Sequence, residues 1–324
     1  MIIVTGGAGF IGSAFVWQLN RMGREDILVV DNLGEAEKWQ NLVNLTYQDY
    51  LHKDAYIEMV LDGQPPKPEA IVHMGACSST TEPDADYLYD NNVRYSKALC
   101  RHALEEGARF IYASSAATYG GGEHGFSDDP GLIPRLRPLN MYGYSKQLFD
   151  QWLLREGLID QVVGLKYFNV FGPNEYHKGE MKSLVCKAHT QIVETGKLKL
   201  FKSHRFEFGH GEQQRDFVYV KDCLESMAWL LEHPEVTGVF NLGFGRAHTW
   251  NDLAKAVFAA MGQEPVVEYI DMPESIRDKY QYFTCAHMDR LKATGCPVPE
   301  TPLEEAVTDY VAHLQKGDPY LGAP

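Results

Sequence analysis

Ile2-Ile3-Val4-Thr5 is a short apolar β run that breaks into Gly6-Gly7-Ala8-Gly9-Phe10-Ile11-Gly12, and no other feature of the chain constrains its fold as much. After the turn, to about Arg21, Phe15, Leu19 and Met22 recur at helical spacing, and Gly23 suits the left-handed end of a helix. Ile27-Leu28-Val29-Val30-Asp31 is then a continuous apolar strand of the kind buried in a parallel sheet. Gly6, Gly9 and Gly12 permit a tight turn and let a pyrophosphate approach amides at a helix N-terminus. Strand, glycine turn, helix, strand and then an acidic residue is the context in which such glycines bind a dinucleotide.

Farther along, Ala70-Ile71-Val72-His73-Met74 and Phe110-Ile111-Tyr112-Ala113-Ser114 read as buried strands separated by a long helix near 86–106. A helix over about 142–156 and a strand at 162–167 follow. This alternation predicts an α/β, Rossmann-type doubly wound parallel sheet. Beyond Phe168 the texture changes to polar loops, aromatics and basic residues as far as Arg215. A strand at 217–220, a helix at 221–232 and a strand at Phe240-Asn241-Leu242-Gly243 come next, and helices near 250–261 and 302–315 close the chain. The expected division is a dinucleotide domain of 1–168 plus about 217–248, and a smaller α/β substrate domain of 169–216 plus about 249–324.

Composition removes several classes. With 324 residues the chain is long enough for a sizeable core, and 44% hydrophobic residues excludes wholesale disorder. Mean hydropathy is −0.31, and no apolar run reaches the roughly 18 residues of a membrane span. Met1 is not followed by a signal-peptide pattern, so a cytoplasmic enzyme without membrane contact is expected. A net charge of −14 argues against nucleic acid. The six cysteines, at 77, 100, 186, 223, 285 and 296, form no C-x-x-C pair and read as reduced thiols. Histidines 177, 189, 204 and 210 lack metal-ligand spacing, and no metal is expected.

Tyr142 and Lys146 stand four apart at a predicted helix start and therefore share a face. A nearby ammonium favours phenolate, which would make Tyr142 a usable base for a sugar hydroxyl. Spacing alone is a weak signal in a chain with 18 tyrosines. Position strengthens it, because the pair follows a strand ending at Ser114-Ser115, on the edge where α/β sites lie. Ser115 is placed to bond the same substrate oxygen. Asp31 would hydrogen-bond a ribose 2′-hydroxyl, as for NAD, whereas Lys38 and Lys53 could neutralise the 2′-phosphate of NADP. The residues alone leave that choice open.

The glycine turn, Ser115, Tyr142-x-x-x-Lys146 and Arg215-Asp216-Phe217-Val218-Tyr219-Val220 together resemble the extended short-chain dehydrogenase/reductases that act on nucleotide sugars. Narrower segments are similar to the ADP-L-glycero-D-manno-heptose 6-epimerase family. These are Asp31-Asn32-Leu33, Gly75-Ala76-Cys77-Ser78-Ser79-Thr80-Thr81, Tyr112 to Gly120, Tyr167 to Pro173 and His177-Lys178-Gly179. The resemblance implies one NADP per subunit, inversion at C6 of ADP-heptose through a transient ketone, and a homo-oligomer, a pentamer. It places the two acid/base groups on Tyr142 and Lys178, with Lys146 on the nicotinamide ribose. Read from the residues alone, Lys178 also fits a phosphate-contacting lysine.

By the same resemblance the cofactor touches Phe10, Ile11, Asp31, Asn32, Lys38, Lys53, Met74, Gly75, Ala76, Cys77, Ser78, Asn91 and Val170, besides Lys178. Substrate contacts are expected at Ser115, Asn169, Glu180, Lys187, Phe201, Lys202, Ser203, His204, Arg215 and Tyr280. The longer loop at 206–214 departs from the family pattern. A UDP-hexose 4-epimerase would share the Tyr-Lys pair. A 4,6-dehydratase would need an acidic pair where Ala116 and Ala117 stand, and a non-catalytic dinucleotide sensor could dispense with the pair altogether. Residues 177–215 carry a local +4, which leaves −18 elsewhere and one basic segment suited to a nucleotide diphosphate.

Overall fold

Among the described residues twelve strands form in chain order. The first six are β1 (Ile2–Thr5), β2 (Ile27–Asp31), β3 (Asp49–His52), β4 (Ala70–His73), β5 (Arg109–Ser115) and β6 (Val163–Tyr167). They are followed by β7 (Asn169–Phe171), β8 (Leu198–Phe201), β9 (Gln214–Tyr219), β10 (Gly238–Leu242), β11 (Ala247–Thr249) and β12 (Val267–Ile270). The computed structural model describes residues 1–277, 280–318 and 320–324. Seven strands make one parallel sheet in the order β3-β2-β1-β4-β5-β6-β10. Strand order reverses between β1 and β4, the switch point at which ligands bind in doubly wound sheets.

The sheet is covered on both faces because successive side chains of each strand point opposite ways. Ile2, Val4, Val29 and Val72 face one apolar cluster and Ile3, Leu28, Val30 and Ile71 the other. On the first face pack α1 (Phe10–Arg21) and, later in the chain, the helix Val220–Glu232. The second face takes α2 (Lys53–Leu61), α4 (Tyr95–Glu105) and α5 (Met141–Arg155), with α3 (Ala85–Tyr89) packed against α5. Burying an Ile, Leu or Val side chain completely contributes about 1.5–3 kcal/mol. The expected single helix at 86–106 is instead α3 and α4 joined by a π turn at Asp90–Arg94. β3 and α2 escaped the sequence pattern because Asp49-Tyr50-Leu51-His52 is a half-exposed edge without a continuous apolar run.

The remaining helices are α6 (Leu184–Thr195), α7 (Val220–Glu232), α8 (Trp250–Ala260), α9 (Glu274–Arg277), α10 (Asp289–Ala293) and α11 (Leu303–Gln315). From the 217–248 segment, α7 packs on α1 and β10 adds the seventh strand beside β6. β9 lies elsewhere, between β7 and β11 in a three-stranded sheet, and β8 pairs with β12. Helices α6, α8 and α11 pack together against these strands. The strand expected at 217–220 starts earlier, at Gln214, so Arg215 is a strand residue.

Candidate active site

A cleft of about 720 Å³ opens at the C-terminal ends of the central strands. The glycine turn forms its floor. Gly6 has φ +65°, and a Cβ there would sit 2.6 Å from the Gly75 amide. At Gly12 a Cβ would lie 2.1 Å from the Gly6 carbonyl, so no larger residue fits without moving backbone. Gly9 is the N-cap of α1 and provides no side-chain cap, which leaves the first amides of the helix open to an anion.

Asp31 ends β2 beside this turn and is 7% exposed. Its carboxylate accepts the Ala8 amide at 2.8 Å, the Asn32 amide at 2.7 Å and the Lys38 ammonium at 2.7 Å. Lys38 therefore neutralises Asp31 within the cleft. Lys53 and Asn32 do not line it. Lys53 follows β3, whose His52 is level with Asp31, and pairs with Asp54 at 3.0 Å. Met74, Gly75, Ala76, Cys77 and Ser78 line the cleft after β4. Asn91 does not. Its amide donates to Asn92, which sequence reading missed and whose side chain clamps both the Cys77 amide and carbonyl at 2.9 Å. The π turn turns Asn92 inward, and the Asn-Asn pair interrupting an apolar helical run was the available signal.

On the far side of the switch point, Ser115 ends β5 and Tyr142 lies in the first turn of α5, which Asn140 caps through the Gly143 amide at 2.8 Å. Both line the cleft with Lys146. Burial pushes the Tyr142 phenol above its ordinary pKa while the Ser115 hydroxyl pulls it down. Burial is the largest cause, and the direction is opposite to the lowering that the Tyr-Lys spacing suggested. Lys146 donates to the Ala113 carbonyl at 2.9 Å, and burial lowers it to about 8 against the opposing charge of Asp150. Asp150, one helical turn on, is itself buried beneath the site. It holds Lys166 at 2.6 Å, Ser114 at 2.8 Å and Tyr112 at 2.8 Å.

Lys178 reaches the same cleft from the short 3₁₀ segment Tyr176–Met181. Its ammonium lies 5.2 Å from the centre of the Phe10 ring. Burial lowers its pKa and the Glu175 carboxylate opposes the shift. Asn169 and Val170 line the cleft beside it. Arg215, 6% exposed, lies one layer back and donates to the Gln214 and Gln281 carbonyls. Its guanidinium stands 5.0 Å from the Tyr280 ring and 5.7 Å from Trp250, and the Trp250 indole donates to the Tyr280 hydroxyl. Trp250 and Gln281 themselves line the cleft.

The other expected substrate contacts lie outside the lining. Glu180 and Lys187 pair with each other at 3.2 Å. Phe201 ends β8, Lys202 pairs with Asp271 at 3.2 Å, and Ser203 turns back on Arg205. The His204 amide donates to the Tyr282 hydroxyl at 3.0 Å. Among the described residues no cluster of His, Cys, Asp or Glu is suited to a metal, and no helix is long and apolar enough to cross a membrane.

The sheet order together with a glycine turn and a Ser-Tyr-Lys set in one cleft defines the short-chain dehydrogenase/reductase class. The NAD dependent epimerase/dehydratase family matches residues 2–243. An ADP-L-glycero-D-manno-heptose-6-epimerase of Nitratidesulfovibrio vulgaris strain DP4 is 62% identical over 99% of this chain and 100% of its own. One from Fusobacterium nucleatum is 48% identical over the same shares. The crystal structure of the Helicobacter pylori ADP-L-glycero-D-manno-heptose-6-epimerase superposes with a TM-score of 0.82 at 27% identity, covering 97% of this chain and 96% of that one. The chain belongs to the ADP-L-glycero-D-manno-heptose-6-epimerase family.

Proposed function

We propose that this enzyme inverts C6 of ADP-D-glycero-β-D-manno-heptose to give ADP-L-glycero-β-D-manno-heptose, a precursor of the lipopolysaccharide core. The observation that carries the reading is the meeting of the glycine turn, the Ser115–Tyr142–Lys146 set and Lys178 in one cleft of about 720 Å³. The 62% identity to a named heptose epimerase over the full chain supports it.

The uncapped α1 amides and the cradle that a Cβ at Gly12 would fill suit the pyrophosphate of a nicotinamide dinucleotide. When bound, that group takes a hydride from the sugar carbon and returns one. We favour NADP, because Lys38 already offsets the charge of Asp31 where a 2′-phosphate would lie. Lys53 stands at the same strand edge. Residues 74–78 and Val170 would flank the nicotinamide half, and Lys146 its ribose.

Oxidising and re-forming a C6 hydroxyl requires one group that takes its proton and another that gives one back. Burial acts on the two candidates in opposite senses. It holds the proton on Tyr142 and loosens the proton of Lys178. A phenol and an amine so disposed form an acid and a base pushed apart by their environments. In one direction the Lys178 amine accepts the hydroxyl proton and Tyr142 protonates the ketone oxygen. The return reaction exchanges these roles. Ser115 hydrogen-bonds the reacting oxygen, while Asn169 and the Arg215–Tyr280 layer support the sugar diphosphate side.

The test is to supply the purified protein with ADP-D-glycero-heptose and follow C6 configuration by NMR, with UDP-galactose alongside. Turnover of the heptose alone is expected, and turnover of UDP-galactose alone overturns the assignment. Bound cofactor released by denaturation should be NADP, and NAD alone rejects that choice.

A further inference from the structure

Lys178 sits on a segment with no regular helix of its own, broken at Gly179 by φ 52° and ψ −124°. Something else must fix it. Four residues earlier, Asn174 is the only non-glycine residue at positive φ among the described residues, at +76°, and it is 2% exposed. Asparagine adopts this left-handed conformation uncommonly, and a buried one persists only where its surroundings determine it.

Both ends of its side-chain amide are used. The Asn174 Nδ2 donates to Ser13 Oγ on α1 at 3.0 Å, and its Oδ1 accepts the Leu321 amide from the C-terminal end at 3.0 Å. Its carbonyl accepts Nδ2 of Asn41 at 3.1 Å. Asn41 also donates to the Ala8 carbonyl of the glycine turn at 2.9 Å and lies 3.3 Å from Nδ1 of His177, next to Lys178. The end of the chain is tied down beside it. Tyr320 donates to Gln40 at 2.6 Å, and its ring lies 5.9 Å from that of Tyr176.

We propose that Asn174 is the positioning residue that holds Lys178 over the glycine turn, and that the Tyr320–Leu321 tail is the strap that locks Asn174 in place. The consequence for the chemistry rests on the reading of Lys178 as an acid/base group. The geometry assigns the strap to that side of the site alone. Tyr142 and Lys146 stand on a regular capped helix and, among the described residues, share no hydrogen bond with Asn174 or the tail.

The groups facing Lys178 are Glu175 and His177 on its own segment and the Phe10 ring of α1, with Lys38 and Asp31 beyond His177. Burial and the neighbouring lysines lower His177 to about 4, so it is neutral near pH 7. None of these groups is altered by the variants below.

The experiment compares the full chain with Asn174→Gly, Asn174→Asp and a chain ending at residue 318, each grown with lysine carrying ¹³C at Cε. Glycine retains the positive φ and removes both amide bonds, and aspartate retains the acceptor for the Leu321 amide. The Lys178 resonance is the one missing from Lys178→Ala. In Asn174→Gly and in the shortened chain it should titrate at higher pH, because the amine gains water, while the Lys146 resonance stays in place. The same two proteins should retain dinucleotide and KM but lose kcat by roughly 10- to 100-fold, and Asn174→Asp should recover part of that loss. An unmoved Lys178 resonance overturns the proposal whatever happens to kcat, and so does an equal shift of Lys146. If the heptose reading fails, wild-type protein turns over no heptose while the lysine titrations still decide the strap.

Discussion

Lys146 is buried and Lys178 partly buried, and burial lowers the proton affinity of both amines, yet opposite means hold them. Lys146 projects from the second turn of a regular helix onto the carbonyl of the adjacent strand residue Ala113, with Asp150 one turn farther on. Lys178 projects from an irregular segment, against an aromatic face, and hydrogen bonds from three distant parts of the chain hold that segment. A site built on a helix is specified by neighbours in sequence. One built on a loop depends on partners that sequence separates by more than a hundred residues, and small displacements there cost activity before they cost stability.

The largest expected effect breaks the base that both sides share. Gly12→Ala places a methyl group 2.1 Å from the Gly6 carbonyl, so the turn must open. All bound dinucleotide should be lost, with a destabilisation of about 1–3 kcal/mol. Absorbance of the released cofactor and thermal melting measure the two. Retention of cofactor would show that the turn is looser than its geometry.

The next pair sharpens the contrast. Tyr142→Phe and Lys178→Ala should each reduce kcat by roughly 10²- to 10⁴-fold while leaving bound dinucleotide in place. Equal losses with cofactor retained support two acid/base groups, one on each kind of scaffold. Full activity in either variant removes that residue from the chemistry.

That contrast also explains what the sequence revealed. The turn, Asp31 and Tyr142-x-x-x-Lys146 were legible because each is a local pattern whose neighbours supply its context. The sheet was legible from its apolar runs, apart from β3, whose edge position leaves Tyr50 and Leu51 only half-buried. Nothing local marked Asn174 or the Asp150–Lys166 pair, since each acts through partners that only the fold brings near. Phe201 to His204, named from resemblance, lie outside the cleft lining, because β8 ends among Tyr282, His210 and Asp271.

A smaller effect separates the two amines by pH. Lys146 is lowered to about 8, so its ammonium is present below that pH and is lost as pH rises through it. If the charge is needed to orient the ribose and stabilise developing phenolate, kcat should fall on the alkaline side of about 8. Lys146→Arg keeps its charge throughout. It should move that limb upward while lowering the maximum about tenfold, because the longer fork does not fit the Ala113 carbonyl in the same way. A limb that stays near 8 in Lys146→Arg assigns the titration to another group.

The smallest effect belongs to the outermost part of the Lys178 side. Glu180 is 99% exposed, and its side chain pairs only with Lys187 among the described residues. A surface pair of this kind contributes little. Glu180→Gln should therefore leave kcat and KM for the heptose within about twofold of wild type. The measurement discriminates because Glu180 and Lys178 are two residues apart on one short segment. A negligible effect at Glu180 beside a large one at Lys178 confines the functional part of the segment to the side facing Phe10. A tenfold rise in KM would instead extend the sugar-binding surface past Gly179, and the irregular side of the site would then reach farther than the cleft walls define.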